Sequence, residues 1–167
     1  MTNVLRSVGS ELVGVIEHDG ARRVVAVVRV AAGTEVYRIE GVSSVTPTRH
    51  SVQIGTDMHV DTPDGCSDIE MLDQYFWRYT NHHCEPNTVL RGQSLVAVCD
   101  IDPLEDVTFN YNTTEVAMAT PFDCHCGAVH CAGSIRGASA LTPTDAERLA
   151  PLLTPHIRRF LSRRPLA

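Results

Sequence analysis

The run Cys124-His125-Cys126-Gly127-Ala128-Val129-His130-Cys131 sets three thiols at a Cys-x-Cys-x4-Cys spacing. Thiolates so spaced can converge on one tetrahedral zinc, but a closed structural site needs one ligand more. The best candidate is Cys84, far upstream in Asn81-His82-His83-Cys84-Glu85-Pro86-Asn87. His125 and His130 lie inside the run and stay open as competing ligands. A metal joining Cys84 to the later cluster would clamp the cluster's segment down like a lid over a site.

The chain has 167 residues, enough for one domain with a real core. Its hydrophobic content of 43% and charged content of 20% are ordinary for a globular protein. No apolar run approaches the roughly 20 residues of a membrane helix, and Met1 to Arg6 lacks the apolar stretch of a secretory signal. Clustered thiols then point to a reducing, cytoplasmic setting and to metal rather than disulfides. Cys66 and Cys99, outside the cluster, read as ordinary semi-buried thiols. A net charge of −6 argues against nucleic acid as the default partner. Every basic residue is arginine, so no lysine of this chain can act as a base, form a Schiff base or be modified by the protein itself.

Short β-rich runs separated by turns fill the first part of the chain. Leu12–Ile16, Val24–Val28 and Val36–Ile39 read as strands, with Gly20, Gly33 and Gly41 between them. Val52-Gln53-Ile54 and Met58-His59-Val60 read as a hairpin around Gly55-Thr56-Asp57. Leu95–Cys99 and Val107–Tyr111 are again strand-like, about a turn at Asp102-Pro103. Few helical periods interrupt them, so a mostly-β fold of short sheets is expected. Residues 57–75 are acidic: Asp57, Asp61, Asp64, Asp68, Glu70 and Asp73 follow one another with no arginine between. That stretch is either a solvated surface or a rim that attracts a cationic substrate. Thr142-Pro143-Thr144-Asp145 is a helix start, with Leu149, Leu152 and Leu153 as its apolar stripe. Thr154-Pro155 restarts the pattern through Ile157, Phe160 and Leu161, and the arginines at 158, 159, 163 and 164 suit a helix C-terminus.

Three blocks carry a specific resemblance. Arg78-Tyr79-Thr80-Asn81-His82-His83-Cys84-Glu85-Pro86-Asn87, Glu105-Asp106-Val107-Thr108-Phe109-Asn110-Tyr111 and the cysteine run resemble, in order and separation, motifs of the SET-domain protein lysine methyltransferases with a post-SET zinc segment. The resemblance covers roughly Leu12 to Gly137. It implies a SET domain over residues 11–118, a post-SET zinc segment over 119–137 and, beyond the resemblance, a helical tail over 141–164. The implied fold is mostly β, short sheets around a knot-like core. S-adenosylmethionine and zinc are the implied cofactors, and a lysine on a basic protein, or another amine, the implied substrate. Gly20, Ala21, Arg22, Arg23, Arg78, Asn81, His82, Tyr111 and His125 would border the cofactor, with Tyr111 catalytic. Cys84, Cys124, Cys126 and Cys131 would hold the zinc. In the family a Gly-x-Gly motif lets the backbone approach the cofactor; here Ala21-Arg22-Arg23 takes its place. Arg23 could obstruct that approach or pair with the cofactor's carboxylate. Asn110 and Tyr79 replace an Asp and a Phe, and no aromatic follows the cysteines in Ile135–Ala138. A SET-like binding module that has lost turnover, a methyltransferase for a non-protein amine and a plain zinc-binding domain are the competing readings.

Overall fold

The structure is a computed structural model that describes residues 4–164. It opens on an antiparallel meander, β1 (Val4–Val8), β2 (Ser10–His18) and β3 (Ala21–Ala26). Asp19 and Gly20 join β2 to β3 with positive φ of 49° and 78°, the primed turn that matches strand twist. No atom lies within 4 Å of a Cβ built on Gly20, so its glycine serves the turn rather than a close approach. Val13 to Ile16 are buried without alternation, as a strand covered on both faces requires. The apolar run Val24–Val28 leaves the sheet after Ala26, where Leu104 bonds the Ala26 carbonyl and Val28 turns outward. β1 lies upstream of the expected start at residue 11 and pairs with β2 through Ser7 and Gly14.

Two more three-stranded sheets follow. β4 (Glu35–Arg38) pairs with β10 (Ser94–Ala97), which pairs with β9 (Thr88–Arg91). β5 (Val42–Ser44) lies against β7 (Met58–Asp61), which forms the expected hairpin with β6 (Val52–Gly55). Val13, Val15, Val24, Tyr37, Trp77, Leu90, Leu95 and Phe109 join the sheets in one core. The polar atoms drawn into it are satisfied: Trp77 donates to the Glu40 carbonyl at 2.9 Å, and the Tyr37 and Thr80 hydroxyls meet at 2.5 Å.

The acidic stretch is not uniformly loop. Asp68–Asp73 is a helix, α1, begun by a capping box in which Ser67 and Glu70 satisfy each other's backbone N–H. Between α1 and β9, β8 (Asn81–His82) runs parallel to β11 (Thr108–Phe109), with Asn81 beside Thr108 and His82 beside Phe109. Asn87 fixes the crossing: its amide donates to the Asp106 carbonyl and its oxygen accepts from Thr108 N–H. β12 (Phe122–Asp123) and β13 (Ser134–Ile135) bracket the cysteine run.

The tail forms α2 (Pro143–Arg148) and α3 (Pro155–Ser162), with Thr142 capping α2 through Asp145 N–H. Leu149, Leu153 and Ile157 bury against Ala138 and Val116. The Thr154 hydroxyl donates to the Thr113 carbonyl, and Nε2 of His156 lies 2.7 Å from the Thr114 carbonyl. The tail is therefore docked on the turn that follows Tyr111.

Candidate functional site

A cleft of about 1400 Å³ lies between the β2–β3 turn, β8 and the cysteine segment. All nine residues expected to border a cofactor line it: Gly20, Ala21, Arg22, Arg23, Arg78, Asn81, His82, Tyr111 and His125. β8 and β11 bring the central three together, because their parallel pairing sets Asn81 and His82 beside the strand that runs into Tyr111. Asn81 and His125 are exposed within the cleft.

Tyr111 is held from two sides. Its hydroxyl donates to the Thr80 carbonyl at 2.6 Å, and its backbone N–H donates to Nδ1 of His82 at 3.1 Å. Burial, with the Glu115 carboxylate nearby, pushes its phenol well above the usual tyrosine range, so the hydroxyl keeps its proton. His82 and Phe122 lie edge-on to the ring, with centroids 5.2 and 6.0 Å away. Phe122, just ahead of the cysteines, supplies an aromatic that the sequence reading sought only after them. Burial lowers the His82 pKa to about 4, with His83 adding to the effect. The ring is therefore neutral, and with Nδ1 accepting, Nε2 carries the hydrogen.

Both arginines of Ala21-Arg22-Arg23 are engaged, and of the two Arg23 stands at a glycine position of the family motif. Arg22 reaches Glu17 at 3.1 Å, Asp68 at 2.5 Å and the Tyr79 hydroxyl at 2.9 Å. The Asp68 bond leads in raising its pKa. Arg23 pairs with Asp106 across the cleft wall. None of the six acidic residues of the 57–73 stretch lines the cleft, so of the two readings of that stretch the solvated surface stands and the rim does not. Asp57 turns a hairpin, Asp68 neutralises Arg22, and Glu70 caps α1. The carboxylates that do line the cleft are Glu17, Glu85, Glu105, Asp106 and Asp123.

The sulfur atoms of Cys84, Cys124, Cys126 and Cys131 all lie within 4.8 Å of one another. Cys84 and Cys124 sulfurs are 3.9 Å apart, against about 3.8 Å for the edge of a tetrahedron with zinc–sulfur bonds near 2.3 Å. The four thiols fit such a metal. The competing histidines are placed elsewhere: His130 bonds Glu85 at 2.9 Å, and His125 lines the cleft. Burial pushes Cys84 up and Cys124 up to about 11. Burial also opposes ionisation of Cys126, but hydrogen bonds from the Cys84 and Ala128 backbone and from neighbouring thiols outweigh it, bringing its pKa down to about 6. A cation would lower all of them together. Cys66 is half-buried, and Cys99 is exposed on the cleft wall.

A second, narrow cavity of about 50 Å³ adjoins the cleft. Val52, Trp77, Thr80, Phe109 and Glu115 line it, and Tyr111 lines both spaces. Sequence reasoning missed Glu115, which stands alone in a Thr-Thr-Glu-Val stretch with no motif to mark it.

No protein-family model matches the chain. Over 88 residues it is 33% identical to methyltransferase flvH of Aspergillus flavus, covering 50% of this chain and 48% of that protein. Over 68 residues it is 35% identical to histone-lysine N-methyltransferase ASHH2 of Arabidopsis thaliana, covering 36% of this chain and 4% of that one. Over 81 residues it is 36% identical to histone-lysine N-methyltransferase NSD3 of Mus musculus, covering 42% and 6%. The chain thus spans about half the length of one curated relative and a small part of the other two. Among solved structures, KRYPTONITE in complex with mCHG DNA and SAH superposes with a TM-score of 0.53 at 22% identity, over 71% of this chain and 27% of that one. KRYPTONITE in complex with mCHH DNA, H3(1-15) peptide and SAH gives 0.50 at 20%, over 71% and 28%. The fold is that of a SET domain, mostly β with a cysteine segment suited to zinc. Its curated relatives are methyltransferases, two of them acting on histone lysine by name.

Proposed function

We propose that this chain binds S-adenosylmethionine in the large cleft and transfers its methyl group to a lysine-type amine of a basic protein. One observation carries the reading: Tyr111 stands on the wall shared by a cofactor-sized cleft and a narrow cavity with an apolar side. When bound, the cofactor supplies an electrophilic sulfonium methyl. The cleft suits a ligand that carries both charges and an aromatic base, since arginines, carboxylates and the Tyr111 and Phe122 rings share its wall. Asn81 offers an amide that both donates and accepts. Tyr111, its hydrogen committed to Thr80, presents hydroxyl lone pairs to whatever enters from either side. Fixing two reactants in line accounts for much of such a catalyst's advantage.

Cys84, Cys124, Cys126 and Cys131 hold one structural zinc in this reading, tying the cysteine segment to β8 beside the cleft. The thiols belong in a reducing compartment, and a cytoplasmic location is proposed on that ground. Net charge of −6 favours a basic protein over nucleic acid as the direct partner.

A second reading has its own support. Arg23, paired with Asp106, occupies the cleft wall at a position where the family's Gly-x-Gly motif would have glycine. A SET-like binding module would keep fold and zinc without turnover. Calorimetry with S-adenosylmethionine and a methyl-transfer assay on purified core histones separate the two. Transfer supports the enzyme, cofactor binding without transfer to any of a broad panel of basic proteins supports the module, and no cofactor binding rejects the enzyme in favour of a plain zinc-binding domain.

A further inference from the structure

The Glu115 carboxylate is buried, yet no arginine lies within ion-pair distance of it among the described residues. Its Oε1 accepts from the Gln53 backbone at 2.7 Å and from the Thr114 hydroxyl at 3.3 Å. Its Oε2 has only Nε2 of His59 nearby, at 3.7 Å, too far for a hydrogen bond. The sole sealed side-chain polar atom lacking a partner among the described residues is Nδ1 of His59, so Oε2 is not sealed, and its residue lines the narrow cavity. Burial lowers the His59 pKa and disfavours its charged form, so it gives the carboxylate no firm counter-charge; a buried carboxylate so placed is costly and either stays protonated or takes a cation from outside. Val52, Trp77, Phe109 and the Tyr111 ring give the cavity an apolar side, set among polar and basic residues that include Arg49, His50 and Arg78, and that side suits a methylene chain.

We infer that Glu115 is a substrate-positioning residue, the carboxylate that selects an alkylammonium entering the cavity behind Tyr111. A primary ammonium directed at Oε2 would form a charge-assisted hydrogen bond while its methylenes lie along Trp77 and Phe109. A neutral group of the same length would leave the carboxylate uncompensated, and such asymmetry discriminates strongly. Burial raises the Glu115 pKa to about 7, so selection should strengthen as pH rises through that value. The groups that share its surroundings are His59 on β7, Arg49 and His50 ahead of β6, Arg78, Tyr111, and His156 on α3. Arg78 directs its guanidinium to Thr62 and Met71 and leaves the carboxylate to an incoming cation.

The inference deepens the reading of the narrow cavity as the amine's entry, and its test is separable from that reading. n-Butylammonium and n-butanol match in length and differ in charge, and their binding to the whole chain is read by calorimetry and ligand-observed NMR. At pH 8 the parent should favour the ammonium by tenfold or more. Glu115→Gln should abolish the preference, Glu115→Asp should keep part of it, and at pH 5.5 the parent's preference should shrink. In methyl transfer to core histones, Glu115→Gln should raise KM at least tenfold with cofactor affinity within twofold of the parent. Equal affinity of the parent for both probes, binding of neither, or a preference unchanged in Glu115→Gln overturns the inference. Loss of S-adenosylmethionine binding in the parent would overturn the methyltransferase reading and leave the probe preference to decide the role of Glu115. Thermal melts of both variants establish that each is folded.

Discussion

Nε2 of His82 lies 3.2 Å from the sulfur of Cys84. The other ring nitrogen accepts from Tyr111 N–H, so one neutral imidazole ties a thiol of the metal group to the backbone of the proposed catalytic residue. Were a metal held there, a ring N–H directed at its thiolate would both orient the ring and tune the ligand. The cysteine cluster and the cleft are thus joined through a single side chain.

That link sets the first prediction. Purified without chelator, the chain should carry one zinc per molecule by elemental analysis. Cys84→Ser should lower the stoichiometry and increase hydrogen exchange across residues 119–137, with β2 and β3 still protected. Full zinc in Cys84→Ser would remove Cys84 from the ligand set.

Asn81 is exposed in the cleft, so its loss should spare folding. Asn81→Ala should weaken S-adenosylmethionine binding by about 1–3 kcal/mol, the usual penalty for unpairing polar partners. Calorimetry reads this directly, and an unchanged affinity would move the cofactor elsewhere.

Tyr111→Phe deletes the hydroxyl that donates to Thr80 and little volume. Turnover should fall by about tenfold or more while cofactor affinity and zinc content hold, the pattern of an interaction made in the transition state. Equal turnover in single-cycle assays would retire the hydroxyl's role.

Glu115 gives a prediction about stability alone. Its folded pKa of about 7 lies above its usual value of 4.5, so the folded state binds the proton more tightly. The associated stability is present at acid pH and is lost as pH rises through about 7. Glu115→Gln should gain on the parent between pH 5.5 and pH 8 by on the order of 1–3 kcal/mol in urea denaturation. A constant difference across that range would mean the carboxylate titrates normally.

Ile157 is fully buried among Leu149, Leu153 and Ala138. Ile157→Ala should cost about 2–4 kcal/mol in denaturant unfolding. Because Thr154 and His156 grip the carbonyls after Tyr111, it should also raise exchange at Thr113 and Thr114. Loss of stability without that change would make the tail an independent unit.

The sequence was most legible where chemistry is local. The thiol spacing, the Asn81-His82 pair and the Phe109-Asn110-Tyr111 block name residues that the fold brings to one cleft. Strands with continuous apolar runs, such as Val13 to Ile16, were readable for the same reason. What local pattern hides is pairing at a distance. In the acidic stretch a solvated surface and a rim read alike, because nothing local reveals that Asp68 is committed to Arg22. The Ser67–Glu70 capping box was written in the sequence, yet the density of acids around it drew the reading toward charge and away from helix. Glu115 and Phe122 acquire meaning only from what the fold sets opposite them.

The parallel pairing of β8 with β11 carries a kinetic consequence. Asn81 meets Thr108 across a loop that contains the β9–β10 hairpin, and Arg23 meets Asp106 from still further away. Contacts of such long sequence separation form late and slowly, because the chain loses entropy before they give anything back. The cleft should thus be among the last parts of the molecule to assemble. Whatever binds there will report on the completeness of the whole fold, and a ligand added during refolding should raise the yield of native protein more than its affinity for any isolated segment would suggest.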